Sequence, residues 1–357
     1  QRRALKEVFG TLGELTEVVL PPFKKVDPDT GILKEQPLGK ALSIRKRPEA
    51  KFQILFSGHM DTVFGPEHPF QDVSLLQNGC ISGPGIIDMK GGLVVIAFVL
   101  QAIERSPMKE QVGWECFISS DEEIGSPSSG PILAEKAKYF DLGVVFEPAQ
   151  PTGTLVGARK GSSTFTLVAR GKAAHAGRSI HDGLNAIQLI LDFCQDLKTF
   201  AEGQEGLIYN LGRIIGGGPV NIVPDFASCC FNFRTSSPTQ LSSIEEWMKT
   251  IIRGTNEKYP GSLELFADVS RPPKIMDQST EDLYIRLQDC GRQLDQLLTW
   301  QDTGGVSDGN ILANAGLPTL DSLGPRGGFI HTSDEYLVPE SLVEKSLLVT
   351  LFISSLL

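Results

Sequence analysis

Residues 52–62, Phe52-Gln53-Ile54-Leu55-Phe56-Ser57-Gly58-His59-Met60-Asp61-Thr62, set a short apolar run directly ahead of a histidine and an aspartate. Phe52 to Ser57 reads as a short apolar strand, which leaves His59 just beyond its carboxyl end. Outward from it, strand and helix signals alternate: Lys90 to Arg105 reads as a helix, Val112 to Ser119 as a strand, and Leu142 to Phe146 as another. Such alternation implies a mainly parallel sheet with helices on both faces. Ligands in such sheets gather beyond the carboxyl ends of the strands, where His59 stands.

The character changes after Gly157. Ser162 to Arg170 reads as a strand, Gly183 to Phe200 as a helix, and Leu207 to Ile215 and Phe226 to Arg234 as strands. Leu241 to Lys258 then reads as a helix and Ser262 to Asp268 as a strand. The order β-α-β-β-α-β matches the ferredoxin-like split motif. The α/β pattern resumes near Arg271 and ends in an amphipathic helix, Pro339 to Leu356. The simplest account is an α/β domain interrupted by a smaller inserted one, in keeping with the two domains that 357 residues predict.

With 41% hydrophobic and 21% charged residues, the chain has the composition of a globular protein with a large core. Its net charge of −10 and pI near 5.1 argue against nucleic acid, which requires a basic stripe. The longest apolar run, Leu93 to Leu100, falls short of the roughly 18 residues of a membrane span and reads as a buried helix. Cys80, Cys116, Cys194, Cys229, Cys230 and Cys290 show no CxxC spacing and read as thiols of a reducing compartment, the cytoplasm. The chain starts at Gln1 rather than Met, which leaves room for a removed leader and a periplasmic or secreted location.

Several residues carry potential chemistry. Asp61 lies close enough to His59 to take the proton on its far ring nitrogen, which fixes the tautomer of a metal-ligating histidine; a structural histidine fits the same spacing. Asp88, in Ser82–Gly92 (SGPGIIDMKGG), reads either as a helix N-cap or as a carboxylate bridging two metal ions. Asp121, Glu122 and Glu123 follow a strand end directly and would repel one another unless cations sit among them; a solvated charge cluster is the alternative. Glu147 comes one step past an apolar strand, and His331 lies in Gly327–Tyr336 (GGFIHTSDEY). Together, two histidines and three carboxylates make a mixed nitrogen and oxygen set that suits zinc, and one carboxylate is left to act as a base.

In this order, the segments GHMDTV, SGPGIIDMKGG and SSDEEIGS, the Glu147 step and GGFIHTSDEY resemble the motifs of a dinuclear zinc metallopeptidase family. That family is the one of glutamate carboxypeptidase, acetylornithine deacetylase and aminoacylase, and the resemblance covers nearly the whole chain. The Gly-Pro-Gly before Asp88 and the glutamate at 147 resemble the glutamate carboxypeptidase branch most. The resemblance implies a zinc-exopeptidase-like catalytic domain, residues 1–158 and 270–357, with a mixed, mainly parallel sheet sandwiched by helices. A ferredoxin-like lid and dimerisation domain, residues 159–269, would interrupt it.

The resemblance further implies two zinc ions, with cobalt or manganese as substitutes. Asp88 would bridge them, His59 and Glu147 would complete one site, and Glu123 and His331 the other. Glu122 would be the general base toward a bridging water, and Asp61 would orient His59. The peptide bond after Asp88 would be cis, although Met89 replaces a common Asp. From the lid, His175 would support the oxyanion, often from a partner subunit. Asn221 and Arg234 match substrate-side positions, and Arg271 matches an arginine that holds the substrate carboxylate with a bidentate fork. The implied activity is hydrolysis of an amide bond beside a free carboxylate, in a small peptide or N-acyl amino acid, by a homodimer with no nucleic-acid or membrane partner.

Two rival readings stand beside this one. Gly305-Val306-Ser307-Asp308-Gly309 fits the nucleophile elbow of a serine hydrolase, with Asp321 and His331 following in triad order. It leaves His59, Asp88, Glu122, Glu123 and Glu147 without a role. The other rival is a non-catalytic metal-binding protein on a hydrolase fold, against which the intact ligand set and Glu122 speak.

Overall fold

The computed structural model describes residues 1–357 and divides into two compact units. The first comprises Gln1–Pro21, Leu38–Arg159 and Lys274–Leu357, and the second Pro22–Pro37 and Lys160–Pro273. Residues 22–37 and 270–273, expected in the catalytic domain, therefore cluster with the inserted segment.

In the first unit a six-stranded sheet runs in the order Glu14–Val18, Ala41–Lys46, Val112–Ser119, Phe52–His59, Leu142–Val145, Thr319–Leu320. The last four strands are mutually parallel, and the first two pair antiparallel at the other edge. Val112–Ser119 is buried along its whole length and Phe52–His59 at all but its first residue, the pattern of parallel strands covered by helices on both faces. The helices Gly91–Glu104, Gln278–Gln293 and Glu340–Leu356 pack with Phe56, Trp114 and Val144 into the main core. A smaller cluster, with Leu55, Phe117, Leu133 and Leu312, fills the opposite face under Ser129–Ala137 and Asp308–Asn314.

The helical run Ile86–Glu104 is 19 residues long and apolar enough to cross a membrane by length and composition, unlike the shorter run read from sequence. Leu93, Val95, Ile96, Val99, Leu100 and Ile103 are spent on the core. A further small antiparallel sheet pairs Tyr336–Leu337 with Gly327–Gly328 on one side and Ile81–Ser82 on the other. It draws the segment of His331 to the turn of Asp88.

The second unit is a four-stranded antiparallel sheet in the order Ile208–Gly216, Phe226–Thr235, Gly161–Arg170, Leu263–Arg271. Ala186–Glu202 and Pro238–Lys258 supply its β-α-β-β-α-β pattern and pack on one face over Phe165, Phe231 and Phe233. The other face receives the hairpin Phe23–Asp27 and Ile32–Gln36. Ser228 donates from Oγ to the Pro28 carbonyl and Arg170 from Nη2 to that of Gly31. Gly31, at φ +65°, allows the close contact: a Cβ there would lie 2.9 Å from Val168 Cγ1.

Candidate metal centre

His59 ends the central strand and is 1% exposed, so its ring is held by the sheet itself. Its Nδ1 faces the Asp61 carbonyl oxygen at 3.0 Å and the Asp61 carboxylate at 3.6 Å. The other carboxylate oxygen of Asp61 accepts from the Glu123 backbone N–H at 2.9 Å. Asp61 thus meets His59 mostly through its main chain, and its carboxylate also reaches the acidic loop.

Asp88 sits in the short helical turn Ile86–Lys90 with non-helical φ −116° and ψ 92°, and the peptide bond to Met89 is cis. The turn is packed so tightly that a Cβ on Gly85 would lie 2.2 Å from Thr62 Cγ2, and one on Gly92 2.2 Å from the Phe146 carbonyl. These glycines bring Asp88 against the ends of the strands that carry His59 and Glu147. Asp88 caps no helix: the helix that follows it has no side-chain cap.

The two oxygens of Asp88 face two different imidazoles. Oδ1 lies 3.0 Å from His59 Nε2, and Oδ2 lies 3.3 Å from His331 Nε2. Glu147 Oε1 is 3.8 Å from His59 Nε2, and Glu123 Oε2 is 3.2 Å from His331 Nε2. Ligand atoms about 2.0–2.1 Å from a tetrahedral ion stand roughly 3.3 Å apart, close to these spacings. His59, Asp88 and Glu123 offer ligand atoms all within 4.8 Å of one another. Glu123 Oε1 is buried with no hydrogen-bond partner, a cost that a cation would remove.

The electrostatics point the same way. Burial, and then the charges of Asp88 and Glu122, hold the Glu147 carboxyl well above the ordinary range, and burial with Asp88 also raises Glu123. His331 is pushed up to about 10 by its hydrogen bonds to Asp88 and Glu123. Burial opposes a charge on His59, but Asp61 and Asp88 outweigh it and raise its pKa well above normal. Too many carboxylates converge for two imidazoles to balance, which is the deficit that divalent cations fill. The residues present therefore fit a pair of metal ions.

A model of peptidase family M20/M25/M40 matches residues 55–355. The chain belongs to that family. Among its relatives, the succinyl-diaminopimelate desuccinylase of Stutzerimonas stutzeri (strain A1501) is 27% identical over 314 residues, 81% of this chain and 78% of that protein. Carboxypeptidase G2 of Pseudomonas sp. (strain RS-16) is 25% identical over 302 residues, 82% of this chain and 71% of that protein. In fold, the chain is similar to a dinuclear metal-binding M20 peptidase of Bacillus subtilis, at TM-score 0.65 and 14% identity, covering 99% of this chain and 91% of that one. As a member of the M20/M25/M40 peptidase family it is a hydrolase.

The geometry does not favour the serine elbow as a nucleophile. Ser307 is fully buried as the N-cap of the helix Asp308–Asn314, where Gly309 donates its N–H to the Ser307 hydroxyl oxygen. Its Oγ donates to Asp321, which in turn pairs with Arg159 through two hydrogen bonds of 2.8 Å. His331 stands with Asp88 and Glu123.

Glu122 is buried at the turn after Val112–Ser119, and its charge bears on both His59 and Glu147. Asp121 shapes the turn: its carboxylate accepts from the N–H groups of Ser128 and Ser129. The remaining sequence candidates lie in the second unit. His175 is exposed and bridges to Ile222, while the Asn221 carbonyl accepts from the Ala176 N–H, so His175 and Asn221 are neighbours. Arg234 and Arg271 both stand opposite Ser162 from adjacent strands and share a sheet face. Burial, and then the charge of Arg271, depress the pKa of Arg234.

Sequence reasoning missed Glu335, a fully buried carboxylate that touches three backbone N–H groups of the Asp88 turn. Its position beside Asp334 in a motif already singled out was the available signal.

Proposed function

We propose that this M20/M25/M40 hydrolase uses two zinc ions to cleave an amide bond next to a free carboxylate, as a carboxypeptidase or an N-acyl-amino-acid amidohydrolase. The observation that carries the reading is Asp88, whose two oxygens face His59 and His331 at 3.0 and 3.3 Å. In this reading Asp88, His59, Glu147, Glu123 and His331 would hold the metal pair, with Asp88 between the His59 and Glu147 side and the Glu123 and His331 side. The mixed imidazole and carboxylate set favours zinc, with cobalt or manganese as substitutes.

When bound, the metal pair supplies Lewis acidity and a water acidified toward neutral pH. Glu122 takes the proton of the attacking water and delivers it to the leaving nitrogen. Asp61 holds the His59 ring. His175, the residue of the lid motif, donates to the carbonyl oxygen as it becomes an oxyanion. Arg271, with Arg234 beside it and Asn221, holds the substrate carboxylate; two guanidinium groups on one sheet face favour an anion. The names of the desuccinylase and carboxypeptidase relatives support an acyl or peptidyl amino acid as substrate.

A homodimer through the second unit belongs to this reading. Its support is the sheet-edge strand Ile208–Gly216, where Ile208 and Ile214 are each 50% exposed. The six free thiols support a reducing compartment, the cytoplasm.

The test is a panel of N-acyl amino acids and dipeptides, each beside its carboxamide, with chelator and then zinc added back. Cleavage confined to the free carboxylates, stopped by chelator and restored by zinc, is expected. Turnover indifferent to chelator would overturn the metal reading, and equal cleavage of the carboxamides would overturn the carboxylate requirement.

A further inference from the structure

The turn that carries Asp88 leaves several main-chain donors pointing inward, and buried N–H groups must find acceptors. One side chain answers three of them. Glu335 Oε1 accepts from the N–H of Ile87 at 2.9 Å and of Asp88 at 3.2 Å, and Oε2 accepts from that of Gly85 at 3.1 Å. Glu335 itself is fully buried and fixed at its main chain, where the Ser82 hydroxyl donates to its carbonyl at 2.8 Å. The neighbouring Tyr336 pairs with Ser82 in the small sheet. Glu335 also lies four residues past His331, on the same short segment.

Two residues that face each other across the candidate centre, Asp88 and His331, therefore hang from one carboxylate. The first is held through the backbone of its turn, the second through the segment that Glu335 anchors. Three charge-assisted hydrogen bonds from a buried carboxylate make a stiff join.

We propose that Glu335 is the positioning residue that fixes Asp88 relative to His331, and so sets the affinity of the metal position those two residues share with Glu123. This rests on the two-metal reading above. His59 ends a sheet strand and Glu147 follows two residues after one, away from the Glu335 segment, so the metal position on their side depends on Glu335 far less.

The test is stepwise loading of the chelator-stripped, full-length chain with zinc and with cobalt. Affinities are read by competition with a chromophoric chelator, and ligand geometry from the cobalt visible spectrum. The variants are Glu335→Gln, which puts an amide NH2 where Oε2 meets the Gly85 N–H, and Glu335→Asp, which withdraws the carboxylate by one methylene. Thermal unfolding of each stripped protein gives its stability without metal.

Removal of outer-shell support typically costs about 10–100-fold in metal affinity. That loss is expected in both variants for one of the two ions, with a changed cobalt spectrum, the other ion held nearly as before, and unfolding temperatures close to the parent. Two ions bound with parental affinity and spectrum would overturn the proposal. So would equal weakening of both ions, or stability losses that match the affinity losses in both variants, because Glu335 would then serve the fold at large. A parent chain that takes up fewer than two ions would instead overturn the two-metal reading, independently of the variants.

Discussion

Ser307 hydrogen-bonds directly to Asp321, Oγ to Oδ2 at 2.9 Å, with no imidazole between them. Asp321 is already held by the Arg159 guanidinium through two bonds of 2.8 Å. A hydroxyl in that position caps a helix and satisfies a buried carboxylate; it is not poised as a nucleophile. Ser307→Ala is expected to leave kcat unchanged and to lower stability by about 1–2 kcal/mol, for the lost cap and buried hydrogen bond. Urea unfolding and steady-state kinetics check both. A folded but inactive variant would return the serine to the chemistry.

Glu122→Gln keeps the shape of the side chain and removes its capacity to take a proton. Two equivalents of bound metal should remain while kcat falls about 10²–10⁴-fold, the usual worth of a general base. Metal analysis of the same sample that is assayed for turnover separates the two effects. Activity near that of the parent would remove Glu122 from the proton path.

Arg271→Lys keeps the charge and loses the planar fork. Recognition of a carboxylate by two parallel hydrogen bonds does not survive that change, so KM for carboxylate-ended substrates should rise roughly tenfold, or about 1.4 kcal/mol, with a smaller effect on kcat. An unchanged KM would take Arg271 out of substrate binding.

Lys345, on the terminal helix Glu340–Leu356, is 2% exposed, and its burial pushes its pKa down to about 8 against the partial support of Glu344. Lys274 is likewise pushed down to about 8, by burial against the opposing charge of Asp321. A lysine titrates near 10.4 in the unfolded chain, so between about pH 8 and 10.4 the unfolded state binds more protons and stability rises with pH. Below pH 8 the cost of the buried charge is present in full. Lys345→Met should therefore stabilise the protein near neutral pH by about 1–3 kcal/mol, with the gain fading as pH approaches 10.4. Denaturant unfolding of both proteins at pH 7, 8.5 and 10 checks the trend. A gain that is constant with pH would show that folding does not lower the pKa of Lys345.

The parallel strands were legible in the sequence because burial on both faces leaves near-continuous apolar runs, as in Phe52–Ser57 and Val112–Ser119. The edge strand Glu14–Val18 has exposed and half-buried positions only, and the hairpin strand Ile32–Gln36 is exposed throughout, so neither has a comparable run. Residues 22–37 carry no mark of the unit they join, since that choice is made by contacts such as Pro28 with Ser228, two hundred residues away. At the candidate centre, side chains that face one another could be picked out by type and by their place at strand ends. Glu335 had only its place in the His331 motif to mark it, because a carboxylate that serves main-chain amides depends on how a distant turn is folded. Asp61 was legible as a partner of His59, while its bond to the Glu123 amide was not, for the same reason.

The alternation of the chain between its two units also dictates an order of assembly. Residues 22–37 are synthesised long before residues 160–273, the rest of the unit they belong to. Emerging from a ribosome, this hairpin has no sheet to settle on until more than a hundred further residues have followed. The first unit waits longer still, because the helix Glu340–Leu356, which packs against Gly91–Glu104, is made after the whole of the second unit. Neither unit can be excised as one continuous fragment, and a nascent chain stopped at residue 273 would hold a completed second unit beside an unfinished first one.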